Sequence, residues 1–180
     1  MDFTTRLNVI LEGESQREFS SVQVDLPPEL AKKLLAFAAN ILKDDLVEDG
    51  IEDNSHVTVK FGLHTNNPSD IKPLLAGEPP ISLKFGKMGI FKANENRNSD
   101  VLIINIDSAG LHHLNKKIRD GVECTDTYPE YKPHATIAYL KPGVADDYIT
   151  DDFEGMSATI DEIVFSGRDR KITKFKLEGD

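Results

Sequence analysis

Two short segments of the chain, 56–61 and 134–139, share one residue pattern. Each begins with histidine, continues with threonine two positions later, and ends in an aromatic residue three positions beyond the threonine. Imidazoles titrate near neutral pH, so two of them can supply a general base and a general acid without a metal ion. A hydroxyl beside an imidazole can hold a phosphoryl oxygen while the imidazole moves a proton. The pattern therefore indicates acid–base chemistry on a phosphate ester.

Strand periodicity decides which side chains of these segments share a face. Both segments are rich in β-branched and aromatic residues, which favour strands. Because strand side chains alternate between faces, we expect His56, Thr58 and Lys60 on one face of the first strand. By the same rule, His134 and Thr136 share a face of the second strand. Each strand is expected to bury its apolar residues, including the final aromatic one, and to turn imidazole and hydroxyl outward.

The sequence around the two segments also repeats. An alternating run at 22–26 precedes the first segment, and a helical pattern that begins near Pro28 follows that run. An apolar run at 101–106 precedes the second segment, and Asp107 or Ser108 can cap the helix that follows it. Both halves thus read as strand, helix, loop and H-x-T strand. We infer an internal duplication that has diverged beyond obvious residue identity.

Each H-x-T strand is followed by a predicted hairpin. The first hairpin pairs residues 81–91 with 101–106, and the second pairs residues 158–165 with 172–177. Polar and glycine-containing stretches between the paired strands predict their turns. Residues 5–11 alternate like an additional strand near the N-terminus. The overall order of elements predicts an α+β fold.

Paired H-x-T strands in a duplicated α+β unit resemble the two-histidine (2H) phosphoesterase superfamily. That superfamily includes 2′-5′ RNA ligase-like proteins and cyclic phosphodiesterases, and the resemblance covers residues 22–177. It implies a bilobal fold with antiparallel sheets around a central cleft and helices outside. It also implies a single domain over 1–180 with two pseudo-symmetric halves, about 20–100 and 101–180, whose H-x-T pairs face each other across the cleft.

The resemblance further implies metal-independent chemistry, without a cofactor, on a phosphodiester that involves a ribose 2′-oxygen. The catalytic positions of the superfamily carry over to His56, Thr58, His134 and Thr136. Some members are phage anti-CBASS enzymes, which open the cyclic oligonucleotide signals of bacterial defence. The motifs leave open whether this chain belongs to that branch. They also leave open which histidine is the base, and whether water or a ribose 2′-hydroxyl attacks the phosphorus.

Composition limits the setting and the partners of the protein. A chain of 180 residues is expected to form one domain with a proper core. Cys124 is the only cysteine, so no internal disulfide can form, which fits a reducing cytoplasm. The chain has neither a secretory signal pattern nor an apolar run of membrane-spanning length. We therefore expect a cytoplasmic protein, monomeric and without a membrane partner.

The net charge of −10 bears on the size of the substrate. Proteins that bind long nucleic acids usually carry basic stripes, whereas a small nucleotide needs only a few local cations. We expect a small substrate, such as a cyclic oligonucleotide or a 2′,3′-cyclic phosphate, rather than a long RNA. Lys60 is a candidate phosphate contact by its parity, or else a solvated strand lysine. Tyr131 is a candidate base-stacking residue in the loop before His134, unless it packs that loop onto the core.

Three other interpretations stay open at this point. A zinc site could use four of the histidines, although their spacing lacks the i, i+4 pattern that metal sites favour. The histidines in question are His56, His64, His113 and His134. A nucleotide-sequestering protein could use the same cleft without catalysis. An RNA-processing or 2′-5′ RNA ligase-like enzyme could act on larger substrates, and salt-dependent RNA binding would indicate it.

Overall fold

The computed structural model describes residues 17–179, and these form nine β-strands and three α-helices. The strands are β1 (Ser20–Asp25), β2 (Leu46–Ile51), β3 (His56–Leu63), β4 (Ile81–Phe91), β5 (Asp100–Asp107), β6 (His134–Leu140), β7 (Ser157–Ile160), β8 (Glu162–Ser166) and β9 (Ile172–Lys176). The helices are α1 (Pro28–Ala38), α2 (Lys72–Leu75) and α3 (Ala109–Gly121). The predicted strand at residues 5–11 lies outside the described residues.

All strand pairs are antiparallel, and the two H-x-T strands occupy the middle of the sheet. The order across the sheet is β7-β4-β5-β6-β3-β1-β8-β9, and β2 pairs separately with β6. The α+β fold predicted from the sequence is thereby confirmed. Both predicted hairpins form as well, because β4 pairs with β5 and β8 pairs with β9.

The prediction of a single strand over 158–165 is wrong, because the structure has two strands there, β7 and β8. The chain breaks at Asp161, so that β7 pairs with β4 while β8 pairs with β1. These partners belong to opposite sides of the sheet, yet Asp161 alone separates β7 from β8. One residue spans less than about 4 Å, so the two sides must curl toward each other. The result is a strongly curled sheet rather than a flat one.

Each side of the sheet takes strands from both sequence halves. β4 follows β3 in the chain but lies beside β5, and β8 belongs to the second half but lies beside β1. The sequence halves 20–100 and 101–180 therefore exchange strands in space. This exchange links the two halves through many backbone hydrogen bonds, because each half completes the sheet of the other.

The two longer helices bury apolar stripes against the sheet. Pro28 occupies the first turn of α1, where its missing N–H costs nothing. Ser108, one of the two caps predicted from the sequence, caps α3, and its hydroxyl accepts a hydrogen bond from Leu111 N at 3.2 Å. Leu111, Leu114 and Ile118 of α3 are almost completely buried. Each such side chain stabilises the fold by roughly 1.5–3 kcal/mol relative to exposure.

The strand β2 was not predicted from the sequence. Its residues, Leu46 to Ile51, include Glu, Asp and Gly and show no clean alternation. It forms because β6 offers an edge, and Leu46 and Ile51 lie opposite Leu140 and Ala138 of that strand. A tertiary contact thus decides the conformation of a segment whose local sequence does not favour a strand.

Gly62 allows a second segment to pair with β3 in the same manner. Leu63 forms an isolated bridge with Cys124, and Thr125 N donates to the Gly62 carbonyl at 2.8 Å. Gly62 has φ +86°, and a Cβ placed there would lie 2.2 Å from the Thr125 carbonyl oxygen. Glycine is therefore required for both backbone conformation and space.

We predict that Gly62→Ala lowers the free energy of unfolding by more than about 2 kcal/mol. The left-handed conformation alone costs an L-residue roughly 1–2 kcal/mol, and the clash with Thr125 adds to it. Gly143→Ala is the matched control, because Gly143 has φ +92° and no described atom lies within 4 Å of the added Cβ. Urea denaturation measures both variants, and equal losses would contradict the close approach of Thr125 to β3.

Candidate active site

The two H-x-T strands meet at a single pairing position, Val57 opposite Ala135. Both of these side chains are completely buried in the core. Beyond this position the two strands have different partners: β2 pairs with the edge of β6, and the segment 123–125 pairs with the edge of β3. The sheet therefore opens at this point, and the first residues of both H-x-T strands lie where it opens.

The antiparallel register brings the four motif side chains together. Extending the register by one residue on each side places His56 opposite Thr136 and Thr58 opposite His134. Directly opposed residues of antiparallel strands have Cβ atoms about 4.5–5.5 Å apart. All four side chains share one face by alternation, and all four are partly exposed, whereas Val57 between them is buried. Each imidazole thus lies beside the hydroxyl of the other strand.

Backbone carbonyls fix both imidazoles in the same way. His56 Nδ1 donates to the Asn54 carbonyl at 2.7 Å, and His134 Nδ1 donates to the Lys132 carbonyl at 2.7 Å. Because a carbonyl only accepts, the proton of each neutral ring resides on Nδ1. Each Nε2 then accepts a proton when the ring is neutral and donates one when it is charged. In both strands the acceptor is the carbonyl of the residue two positions before the histidine, so the two motifs share this contact as well.

The surroundings of His134 favour its neutral form. Burial lowers the pKa of His134, the hydrogen bond to the Lys132 carbonyl opposes that effect, and the positive charge of the nearby His56 lowers the pKa further. The Phe91 ring packs edge-on against the imidazole, with ring centroids 4.8 Å apart. Sequence reasoning assigned Phe91 no role, since only the pairing of β4 with β5 brings it to the site.

Lys60 does not lie on the face of His56 and Thr58, so the expectation from simple alternation is wrong. In the register with β1, Val59 is an extra residue of β3, and Lys60 lies opposite the fully buried Val22. This β-bulge reverses the alternation after Thr58. The Lys60 ammonium pairs with Asp126, and its side chain is only 7% exposed. The Lys60 side chain therefore lies on the core face of β3, opposite to the face that carries His56 and Thr58.

The second H-x-T strand contains a bulge at the equivalent place. The pairing of β6 with β5 shifts between Thr136 and Ala138, so Ile137 and Ala138 both pack in the main core. Tyr139 then returns to the cleft face, where it packs with Ile103, the residue opposite Thr136. Its expected position on the main-core face is wrong for this reason. We call this second apolar group the cleft-side cluster; it consists of Val47, Phe91, Val101, Ile103 and Tyr139.

Tyr131 holds the loop before β6 onto β3 rather than presenting a free ring. Its hydroxyl donates to the Thr58 carbonyl at 2.9 Å, and its ring packs edge-on against His112 of α3 at 5.3 Å. Burial raises the pKa of the Tyr131 hydroxyl well above its usual range. The base-stacking role expected for Tyr131 is therefore not supported by its placement. Tyr128 of the same loop is the exposed tyrosine, at 72%.

The remaining histidines lie apart from the two motif histidines. His64 stacks on Phe19 and interacts with the Thr125 hydroxyl, whereas His113 contacts Glu78. The four histidines of the zinc alternative are therefore not gathered in one place. Within residues 17–179, no group of three or more His, Cys, Asp or Glu side chains has the geometry of a metal site. None of the helices in this range is long and apolar enough to cross a membrane.

Three lysines near the C-terminus form ion pairs. Lys171, Lys174 and Lys176 pair with carboxylates of their own hairpin or of the turn before it. The carboxylates are Asp169, Glu162 and Asp161, respectively. All three lysines are exposed and already paired with carboxylates.

The sequence profile of the 2′-5′ RNA ligase superfamily matches residues 52–172, more than half of the chain and both H-x-T motifs. The chain belongs to the 2′-5′ RNA ligase superfamily. This confirms the resemblance to two-histidine phosphoesterases that the motifs indicated. Membership supports a phosphodiesterase or ligase-like activity in general. No curated protein sequence matches this superfamily member at a significant level.

Solved structures of similar fold extend over nearly the whole of this superfamily member. TT0787 of Thermus thermophilus has 18% sequence identity and a TM-score of 0.60, covering 90% of this chain and 99% of its own. LigT of E. coli has 19% identity and a TM-score of 0.55, covering 91% and 96%. Usb1 of Kluyveromyces marxianus has 8% identity and a TM-score of 0.56, covering 89% and 98%. At these identities the likeness establishes the fold alone.

We predict that Tyr131→Phe lowers the free energy of unfolding by about 1 kcal/mol, because the Thr58 carbonyl loses its donor while the ring remains. Tyr128→Phe is the matched control, since its ring is largely exposed. We expect Tyr128→Phe to change stability by less than about 0.5 kcal/mol. Chemical denaturation measures both, and a silent Tyr131→Phe would contradict the structural role of that hydroxyl.

We also predict that His134 titrates below the ordinary histidine pKa of 6.5. In His56→Gln the pKa of His134 should rise, because the repelling charge is removed, but burial should keep it below the ordinary value. NMR titration of ring resonances measures both. His113→Gln is the control, because its ring contacts Glu78 instead. If the pKa of His134 is the same in His56→Gln as in the wild type, the two imidazoles are not electrostatically coupled.

Proposed function

We propose that the protein is a phosphodiesterase that cleaves a small nucleotide phosphodiester by acid–base catalysis between His56 and His134, without a metal ion. One observation carries this proposal. The two imidazoles lie on one face of the antiparallel strands β3 and β6. Each ring is held through Nδ1, so that Nε2 remains available to the substrate. Binding alone needs no such pair of proton-transfer groups, which favours an enzyme over a nucleotide-sequestering protein.

The unequal surroundings of the two histidines suggest their roles. His134 acts as the general base, since its lowered pKa keeps the ring neutral at physiological pH. Its Nε2 removes a proton from water or from a ribose 2′-hydroxyl as the oxygen attacks phosphorus. His56 acts as the general acid, and its Nε2–H gives a proton to the leaving oxygen. The protons balance, because one ring gains the proton that the other gives up.

The two threonines are placed to stabilise the charge that develops at phosphorus. Thr58 lies opposite His134 and Thr136 lies opposite His56 in the extended register. Their hydroxyls donate hydrogen bonds to the non-bridging oxygens, one from each side. Such donors act mainly on the transition state, where negative charge on these oxygens is greatest.

Structural relatives and charge support a small substrate. LigT of E. coli has been crystallised with 3′-AMP, and Usb1 of Kluyveromyces marxianus with uridine monophosphate. We extend small-nucleotide binding to this chain, whose net charge of −10 opposes a long polyanion. A cyclic oligonucleotide or a 2′,3′-cyclic phosphate fits this description. The second candidate is RNA processing or 2′-5′ ligation, which the superfamily name favours.

The decisive experiment is a turnover assay with EDTA present, over cyclic di- and trinucleotides, 2′,3′-cyclic mononucleotides, 2′-5′ oligomers and tRNA. We expect the wild type to cleave at least one small nucleotide under these conditions. His56→Ala and His134→Ala should each lower turnover by roughly 10²–10⁴-fold, the usual contribution of a general acid or base. His113→Ala is the control, because His113 contacts Glu78 and lies apart from the two motif histidines. This variant should retain activity.

Two outcomes of this assay would contradict the proposal. If EDTA-treated protein is inactive and zinc restores turnover, the metal-independent mechanism is wrong. If tRNA outcompetes every small nucleotide at physiological salt and is itself cut or joined, the RNA-processing function replaces the small-substrate one. A 2′-deoxy analogue that binds but resists cleavage would identify internal attack, whereas water-driven hydrolysis would tolerate it.

A further inference from the structure

Two side chains, Phe91 and Arg97, follow one another from His134 toward the turn between β4 and β5. Phe91 contacts the His134 ring edge-on, and the Arg97 guanidinium lies over the Phe91 ring with its Cζ atom 5.8 Å from the ring centroid. Arg97 belongs to the turn between β4 and β5, which an Asn94–Arg97 bridge closes. A cation is thus held about one aromatic ring away from the proposed general base.

The guanidinium of Arg97 lacks the acceptors that a partly buried cation normally has. Its Nη2 donates to the Lys92 carbonyl at 2.6 Å, whereas Nε is buried without an acceptor in the described part of the chain. No carboxylate between residues 17 and 179 lies within ion-pair distance of it. Lys92, on the same hairpin, instead pairs with Asp146 and Asp100. Arg97 is partly exposed, and a guanidinium has five N–H donors, so without a carboxylate partner it keeps donors for an anion from outside the chain.

A second unpartnered group lies in the same turn. The Ser99 hydroxyl is buried, with the residue only 2% exposed, and it has no hydrogen-bond partner in the described structure. Ser99 lies directly before β5, at the end of the turn that contains Arg97. Two buried polar atoms without a partner among residues 17–179, Arg97 Nε and the Ser99 hydroxyl oxygen, therefore lie in the turn between β4 and β5.

The side chains around Phe91, between the turn and the two motif histidines, are apolar. They form the cleft-side cluster, in which Ile103 lies opposite Thr136 and Val101 lies opposite Phe91. Val101, Ile103 and Tyr139 are buried, whereas Phe91 and Val47 are partly exposed. A partly exposed aromatic ring suits the base of a nucleotide better than it suits another phosphate. A nucleoside unit that rests there would have one phosphate at the histidines and its next phosphate near Arg97.

We propose that Arg97 binds a second phosphate of the substrate, one nucleoside away from the phosphate that is cleaved. This inference rests on the proposed function and narrows its substrate class. A 2′,3′-cyclic mononucleotide has one phosphate and cannot occupy both positions. A cyclic oligonucleotide, or a linear one with a flanking phosphate, can occupy both. The preferred substrate therefore carries at least two phosphates, and Arg97 is a specificity-determining residue.

A binding experiment tests this inference without requiring turnover. Calorimetry compares adenosine 3′,5′-bisphosphate with adenosine 3′-monophosphate on the wild type and on Arg97→Gln. We expect the wild type to bind the bisphosphate about 10- to 100-fold more tightly, the range typical of a charge-assisted hydrogen bond. In Arg97→Gln the ratio of the two affinities should fall close to one. Arg119→Gln removes the same charge from an exposed ion pair with Asp120, and it should keep the wild-type ratio.

Arg97→Lys separates recognition from support of the fold. It keeps the charge over Phe91 but loses the planar fork, so the affinity ratio should lie between those of wild type and Arg97→Gln. Thermal unfolding is measured for each variant. If Arg97→Gln does not fold, Arg97→Lys alone carries the test, and a wild-type ratio in it overturns the proposal. Equal weakening of both ligands would also overturn it, because Arg97 would then act only through Phe91.

The assay separates this inference from the proposed function. If the wild type cleaves no substrate but prefers the bisphosphate in a manner that depends on Arg97, the catalytic proposal fails while the second phosphate site stands. If it cleaves 2′,3′-cyclic mononucleotides as well as any substrate with two phosphates, and Arg97→Gln leaves the affinity ratio unaltered, the second phosphate site fails while the catalytic proposal stands.

Discussion

One backbone pairing, Val57 opposite Ala135, determines the geometry of the site. Because the pairing is antiparallel, a local twofold relation connects the two H-x-T strands, and each imidazole lies beside the hydroxyl of the other strand. Because β3 and β6, both fully described, pair at this position alone, the sheet opens directly beyond it. β2 and the segment 123–125 then fill the edges that the divergence leaves. The sheet thus opens at the place where the two motif histidines lie.

The bulges after the two threonines show how the fold completes this arrangement. Each bulge adds one core residue to its strand, Val59 in β3 and Ile137 in β6, and so reverses the faces that follow. A bulge disturbs the regular hydrogen bonding of a strand, and side chains outside the sheet compensate in β3. Asn115 of α3 donates to the Val59 carbonyl at 2.7 Å, and Tyr131 donates to the Thr58 carbonyl. Residues distant in the chain from His56 therefore fix the strand that carries it.

The two histidines stand in nearly identical sequence motifs but have different electrostatic surroundings. The tautomer is the same in both, because the same kind of backbone carbonyl holds each Nδ1. Burial and the Phe91 ring set His134 apart, and two imidazoles this close cannot both be charged without repulsion. In a chain of net charge −10, several surface lysines, such as Lys92, Lys174 and Lys176, pair with carboxylates. Arg97 differs from them because its neighbour is an aromatic ring.

The sequence by itself determined the elements and the identity of the motif residues. Alternation and helical spacing are local properties, so β1, β5, the capped helix α3 and the H-x-T strands could be predicted. The tertiary structure decided what depends on partners distant in the chain. It formed β2 on the edge of β6, moved Lys60 to the core side, and used Tyr131 to anchor a loop. It also brought Phe91 and Arg97 to His134. Bulges and edge pairings arise from strand register, which no local pattern encodes, and this is why those placements could not be predicted.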